Sequence, residues 1–234
     1  MARIVRAMTT DSVTTAAPTP RSTSALQRWS LLGGAVYVVL FVVGTILAFG
    51  DQPDTSKSQD KVRAYWSVAS HRDKVNIGWL LVGIGVLFFI WFVAALRQRI
   101  RDADTGFLSS VVLLGGAVYA TTTMAAFSIN AALKSMSDDT FQHTVYPELI
   151  HAADDVSYVV HAGGAIGIAS VIVATSVALM RLGRLGRGLG ITSIVAGVIS
   201  LGAIAFFPAF VIAAWILVTS IVLFVRSGAA SASA

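Results

Sequence analysis

The sequence predicts an all-α membrane protein, a polytopic bundle of six transmembrane helices arranged as three repeated helical hairpins. Three observations carry that prediction. Hydrophobic residues make up 56% of the chain against 12% charged, with a mean hydropathy of +0.76, which leaves a soluble fold too little polar surface to cover itself. The apolar residues gather into blocks of roughly 20 residues, the length a helix needs to cross a hydrocarbon core of about 30 Å. The basic residues between those blocks are sorted, with arginine clusters falling in alternate gaps.

Residues 1–28 are rich in Ser, Thr, Ala and Pro and contain no continuous apolar core. They read as a disordered cytoplasmic tail rather than a signal peptide, so the first span serves as the insertion signal. The membrane domain covers 29–226, with spans at about 31–49, 75–96, 107–133, 156–180, 189–207 and 209–225. Within the bilayer no water satisfies backbone amides, and the apolar runs do not alternate as barrel strands do, so each span is expected to be helical. Residues 227–234, small and polar, read as a second disordered tail.

Orientation follows from the arginines. Arg3, Arg6, Arg21 and Arg28 precede the first span; Arg97, Arg99 and Arg101 follow the second; Arg181, Arg184 and Arg187 follow the fourth; Arg226 follows the sixth. All lie on one side of a six-span chain, and the positive-inside rule makes that side cytoplasmic, with both termini there. The expected location is the cytoplasmic (inner) membrane of a bacterium. The formal charge of +5 forms no single patch, so nucleic acid is not an expected partner. The absence of cysteine removes disulfides, thiolate metal sites and cysteine nucleophiles.

An internal repeat underlies the hairpins. The heptapeptide Leu-Leu-Gly-Gly-Ala-Val-Tyr stands at 31–37 and again at 113–119, an offset that also sets Asp73 over Asp155 and Gly85 over Gly167. Gly163 and Gly167 have the small-xxx-small spacing that lets membrane helices approach closely.

The two long loops, 51–74 and 134–155, are expected to form an outward cap. In the first, Ser56 and Gln59 have capping-box spacing, and Val62, Tyr65, Trp66 and Ala69 form an amphipathic stripe suited to the membrane interface, the bundle end or a partner. In the second, Phe141, Val145 and Leu149 repeat the pattern, and Pro147 suits the first turn of a helix.

One polar cluster stands out. Glu148, His151, Asp154, Asp155, Tyr158 and His161 lie within an arc of roughly 140° if they share one helix. Glu148, His151, Asp155 and His161 are the weak metal candidates: Glu148 and His151 supply half of a di-iron motif whose second half is missing. A polar path through Thr121, Thr122, Thr123, Asn130, Tyr158 and His161 is the alternative, although no carboxylate lies at mid-span. Cross-hairpin ion pairs between Asp154 or Asp155 and Arg72 or Lys74 are a purely structural use of the same charges. No catalytic residue or cofactor is predicted.

Residues 33–37, the Val-Ala-Ala-Leu-Arg-Gln-Arg-Ile-Arg stretch at 93–101 and Trp-Ile-Leu-Val-Thr-Ser at 215–220 resemble a family of uncharacterised multi-pass membrane proteins common in actinobacteria. That resemblance implies a membrane bundle and brings no catalytic residues. The functional expectation is a non-enzymatic accessory or interaction component of the envelope, embedded in the lipid bilayer and meeting another membrane or envelope protein through 51–74 and 134–155. A channel or carrier for a small or lipidic solute, and a membrane enzyme or metal site around 148–161, are the alternatives.

Overall fold

A computed structural model describes residues 25–53, 58–103, 106–135, 145–203, 205 and 207–232. Residues 1–24 and 233–234 of the two predicted tails, and Ser56 and Phe141 of the two loop patterns, lie outside that set. The described residues form helices and no strands: α1 (Ala25–Ser30), α2 (Gly33–Phe49), α3 (Gln59–Trp66), α4 (Ala69–Ile100), α5 (Phe107–Ser135), α6 (Pro147–Gly163), α7 (Ala165–Arg181), α8 (Arg187–Ser200) and α9 (Phe207–Ala232).

Five stretches are long and apolar enough to cross a membrane: Ala25–Phe49, Ala69–Ile100, Phe107–Ser135, Pro147–Arg181 and Pro208–Ser227. Their outward faces are as apolar as their inward ones. Val39, Ile46, Leu80, Leu87, Leu114 and Ile166 are all exposed, the pattern of a surface solvated by lipid. The protein is therefore a multi-pass helical membrane protein.

The fifth expected span, 189–207, differs. Its helix α8 has 14 residues and ends in turns at Leu201–Ala203, so it rises only about 21 Å against the roughly 30 Å of a hydrocarbon core. It nevertheless packs on both α7 and α9. Arg184 Nη1, in the α7–α8 turn, donates to the Arg99 carbonyl at 2.9 Å, Arg226 Nη1 donates to the Arg184 carbonyl, and the Arg28 guanidinium lies 4.7 Å from the Phe224 ring centroid. Arginines of four different segments thus meet at one end of the bundle. Both tail boundaries also shift: α1 starts at Ala25, and α9 runs on to Ala232, past the expected end of the membrane domain.

The helices close into a ring. α2 packs on α4, α4 on α5, α5 on α6 and α7, α7 on α8, and α9 returns against both α8 and α2. Two tight crossings lock it. A Cβ on Gly115 would fall 2.6 Å from the Gly167 carbonyl oxygen, and one on Gly44 would fall 2.7 Å from that of Gly78. Such backbone-on-backbone approach replaces the hydrophobic drive that lipid cannot supply. Gly163, the expected partner of Gly167 in a small-xxx-small pair, faces open space; the small residues that matter lie across the α5–α7 crossing. Gly183, at φ +65°, ends α7 in a Schellman turn, with Arg184 N donating to Leu179 O and Gly183 N to Met180 O.

The first loop's apolar stripe is spent inside the molecule. Val62 and Trp66 of α3 are buried with Val75, Ala131, Val145 and Ile150, so α3 and the start of α6 cover the end of the bundle. Trp66 is not a headgroup anchor. Ala69 belongs to α4 rather than to the loop helix, and the corner between them is fixed by Arg72 Nη1 donating to the Trp66 carbonyl at 2.7 Å and by His71 stacking on Tyr65. Burial of the Tyr65 ring pushes its hydroxyl pKa up.

Candidate functional site

The arginine end of the ring holds a buried apolar core. Phe92, Leu96 and Ile100 of α4, Val112 of α5 and Ile172 of α7 are all buried in one cluster with Leu31. The opposite, acidic end is hollow. There a cavity of about 530 Å³ descends between α2, α5, α6 and α9, within the range of small-molecule sites. Ala203, just beyond the last turn of α8, is in its wall, so the hollow lies where the short fifth helix stops. From Tyr37 to Phe49 along α2 it spans roughly 18 Å at 1.5 Å per residue.

The floor is a tyrosine pair. Tyr37 Oη and Tyr119 Oη are 2.9 Å apart, and both rings pack on Phe89. These two tyrosines are the last residues of the repeated heptapeptides, 82 positions apart, and they face one another. Above them His161 stacks on Phe41 at 5.6 Å with an interplanar angle of 21°, and lies 6.0 Å from the Tyr119 ring. Phe49 and Phe127, in edge contact at 5.7 Å, continue the wall upward, and Ile212, Ala213 and Ile216 of α9 close the far side. Thr45 Oγ1 and His161 Nδ1 have no hydrogen-bond partner among the described residues. A buried polar atom left so costs on the order of 1–3 kcal/mol.

Beside the mouth sits a buried polar knot. The Lys134 ammonium is 0% exposed and donates to Asp154 Oδ1 and to Gln52 Oε1, each at 2.6 Å. It also lies 5.2 Å from the Phe49 ring centroid and 4.9 Å from that of Trp66. Asn130 Nδ2 donates to the same Asp154 oxygen at 2.9 Å and to Ser157 Oγ at 3.3 Å. A cation this deep is tolerated because a carboxylate, an amide oxygen and two ring faces replace its water. Gln52 and Lys134 are again 82 positions apart.

The expected site residues distribute as follows. Tyr158 and His161 line the cavity, with Asp154 and Asp155 at its mouth. Asn130 does not line it but anchors the knot beside it. The threonine run does not form a path: Thr121 is exposed, Thr122 Oγ1 returns to the Val118 and Tyr119 carbonyls, and Thr123 is buried in the packing. A helical run of three consecutive residues points in three directions, so it cannot line one pore.

Glu148, His151, Asp155 and His161 do not converge. Glu148 accepts from Gln59 Nε2 at 2.8 Å, tying α6 to α3, while His161 is held among aromatic rings deeper in the bundle. Among the described residues no three histidine, aspartate or glutamate side chains are placed to share a metal ion. The expected cross-hairpin pairs also form differently. Asp154 takes Lys134, and Lys74 takes Asp51 at 2.7 Å, which holds the Asp51 carboxyl below the usual carboxylate range.

Sequence reasoning overlooked Tyr37, Tyr119, Phe41, Gln52 and Lys134. The signal for the tyrosines was present, since each closes a copy of the repeat. Compared with family models, with curated proteins and with solved structures, the chain finds no match in any of the three.

Proposed function

We propose that the protein binds a small, mostly apolar molecule in the cavity of its acidic half, as a receptor or carrier for a lipidic solute. The observation that carries this reading is the cavity itself: about 530 Å³, walled by aromatic and aliphatic side chains, with a few hydrogen-bonding groups at its floor and charges only at its mouth. Sites for small molecules share that balance of apolar wall and sparse polar groups. The packed arginine half beneath the tyrosine floor favours a blind pocket over an open channel. The accessory reading is weaker, because the apolar stripe of α3 is used up in covering the bundle end.

The same proposal includes an orientation. With the arginine end cytoplasmic, the mouth opens on the outer face of a bacterial inner membrane, and both termini lie inside. A duplicated hairpin, whose equivalent residues Tyr37 and Tyr119 meet near a shared axis, accounts for the repeat. Kinship with small actinobacterial multi-pass proteins belongs with these proposals and adds no site residue.

Diphenylhexatriene, a rod-shaped apolar fluorophore, tests the pocket. The protein in phosphatidylcholine nanodiscs is expected to show a saturable component of tryptophan-to-probe energy transfer that empty discs lack. Ala213→Phe and Ala209→Phe, each filling the cavity from α9, should abolish it while leaving thermal unfolding unchanged. The proposal fails if wild-type discs show no saturable component, or if both folded variants bind as wild type does.

A further inference from the structure

Resting on that reading of the cavity, we infer that its ligand is an amphipathic cation: an apolar body seated among the aromatic rings, with an amine or quaternary ammonium at the mouth. Among the described residues two carboxylates, Asp154 and Asp155, line the cavity, and no lysine or arginine does. Asp154 is already neutralised, since Lys134 contacts it at 2.6 Å from outside the lining. Asp155, one residue further along α6, is exposed at the mouth. Away from the lining, Asp51 pairs with Lys74 and Glu148 accepts from the amide of Gln59. Among the described lining residues, Asp155 is therefore the carboxylate left without a cationic partner.

Below it the wall presents Phe49, Phe127, Phe41, Tyr119 and Tyr158. Ring faces attract cations and repel anions, through a quadrupole that strengthens as water is excluded. An anionic headgroup would meet a carboxylate and aromatic faces with no cation to receive it. A neutral lipid would leave the charge of Asp155 unused. A lipophilic cation satisfies the mouth and the wall together.

Three probes with one body and different ends separate the possibilities: diphenylhexatriene, its trimethylammonium derivative and its propionate. Zwitterionic phosphatidylcholine nanodiscs keep the surface potential from favouring any of them. The cationic probe should bind about tenfold tighter than the anionic one, the scale of one partly screened charge pair, with the neutral probe between. Asp155→Asn, at an exposed position, should erase the cation preference, read as the ratio of cationic to neutral probe affinity. The inference is overturned if the anionic probe binds as tightly as the cationic one, or if Asp155→Asn keeps the preference. Failure of all three probes to bind saturably sinks the cavity reading itself, a result distinct from binding without charge selection.

Discussion

The two ends of the helix ring are built from the same alphabet and packed in opposite ways. At the arginine end, aromatic and branched side chains fill the space between α2, α4, α5 and α7, and the guanidinium groups of Arg184 and Arg226 cap carbonyls of neighbouring segments. At the acidic end, α8 has stopped, aromatic rings line a void instead of filling one, and a lysine is buried beside it. The difference teaches that the protein concentrates its packing in one half and leaves a cavity in the other. Membrane helices pack by close contact rather than by escape from water, so a half that keeps a cavity forgoes much of its packing energy. The buried Lys134 knot holds that half together by polar contacts instead.

The largest effect should come from the crossing that sets the ring. Gly167→Val places a Cβ 2.5 Å from the Gly115 carbonyl oxygen and 2.9 Å from the Tyr119 amide nitrogen, backbone atoms that cannot move aside. We expect loss of folded protein in detergent extracts. Gly163→Ala, four residues away where nothing stands within 4 Å, should be neutral or stabilise its helix by about 0.5–1 kcal/mol. Equal behaviour of the two variants in a size-exclusion and thermal-unfolding comparison would remove the crossing from the account.

A pair of phenylalanines measures the contrast directly. Phe92 is fully buried in the packed half, and its truncation to alanine leaves a void, for which about 3–5 kcal/mol is typical. Phe41 lines the cavity and is only partly buried, so Phe41→Ala enlarges an existing space and should cost roughly 1–2 kcal/mol. Its larger consequence is expected in probe binding, through loss of the ring on which His161 stacks. If Phe41→Ala proves as destabilising as Phe92→Ala, the acidic half is as tightly packed as the other and the contrast fails.

Much of the frame was legible in the sequence, because apolar blocks of bilayer length and sorted arginines follow directly from the physics of the solvent. The cavity was not. It depends on α8 ending seven residues sooner than the apolar run suggests, at turns near Gly202, and hydropathy alone does not distinguish an apolar turn from an apolar helix. Tyr158 and His161 drew notice in the sequence because polar groups deep in a span announce themselves. Lys134 was misplaced as a loop charge, since α5 continues through it to Ser135 and the carboxylate that neutralises it comes from another helix. Partners separated by long stretches of chain leave no local pattern. The 82-residue repeat was the one long-range signal available, and it contained both Tyr37–Tyr119 and Gln52–Lys134 without revealing that the copies touch.

The smallest expected effect lies at the same acidic end, in the ion pair between Asp51 and Lys74. Its geometry resembles that of Lys134–Asp154, at 2.7 Å against 2.6 Å, but its side chains are 69% and 41% exposed where the Lys134 side chain is sealed from solvent. Water and salt screen the exposed pair, and its two mobile side chains lose entropy in meeting. The hydrogen bond from Lys74 and its charge depress the folded-state pKa of Asp51. Whatever stability the pair gives is therefore present above the unfolded carboxylate value of about 3.9 and is lost as pH falls through the lower folded value. Asp51→Asn should match wild type in thermal unfolding at pH 7 in physiological salt. It should differ only in the acid limb of a pH series at low salt, where the wild type alone has this proton to gain. A loss at pH 7 as large as that of Phe92→Ala would show that exposure does not decide the strength of these two pairs. The reasoning that ranks the sealed Lys134 contact above its solvated neighbour would then have to be abandoned.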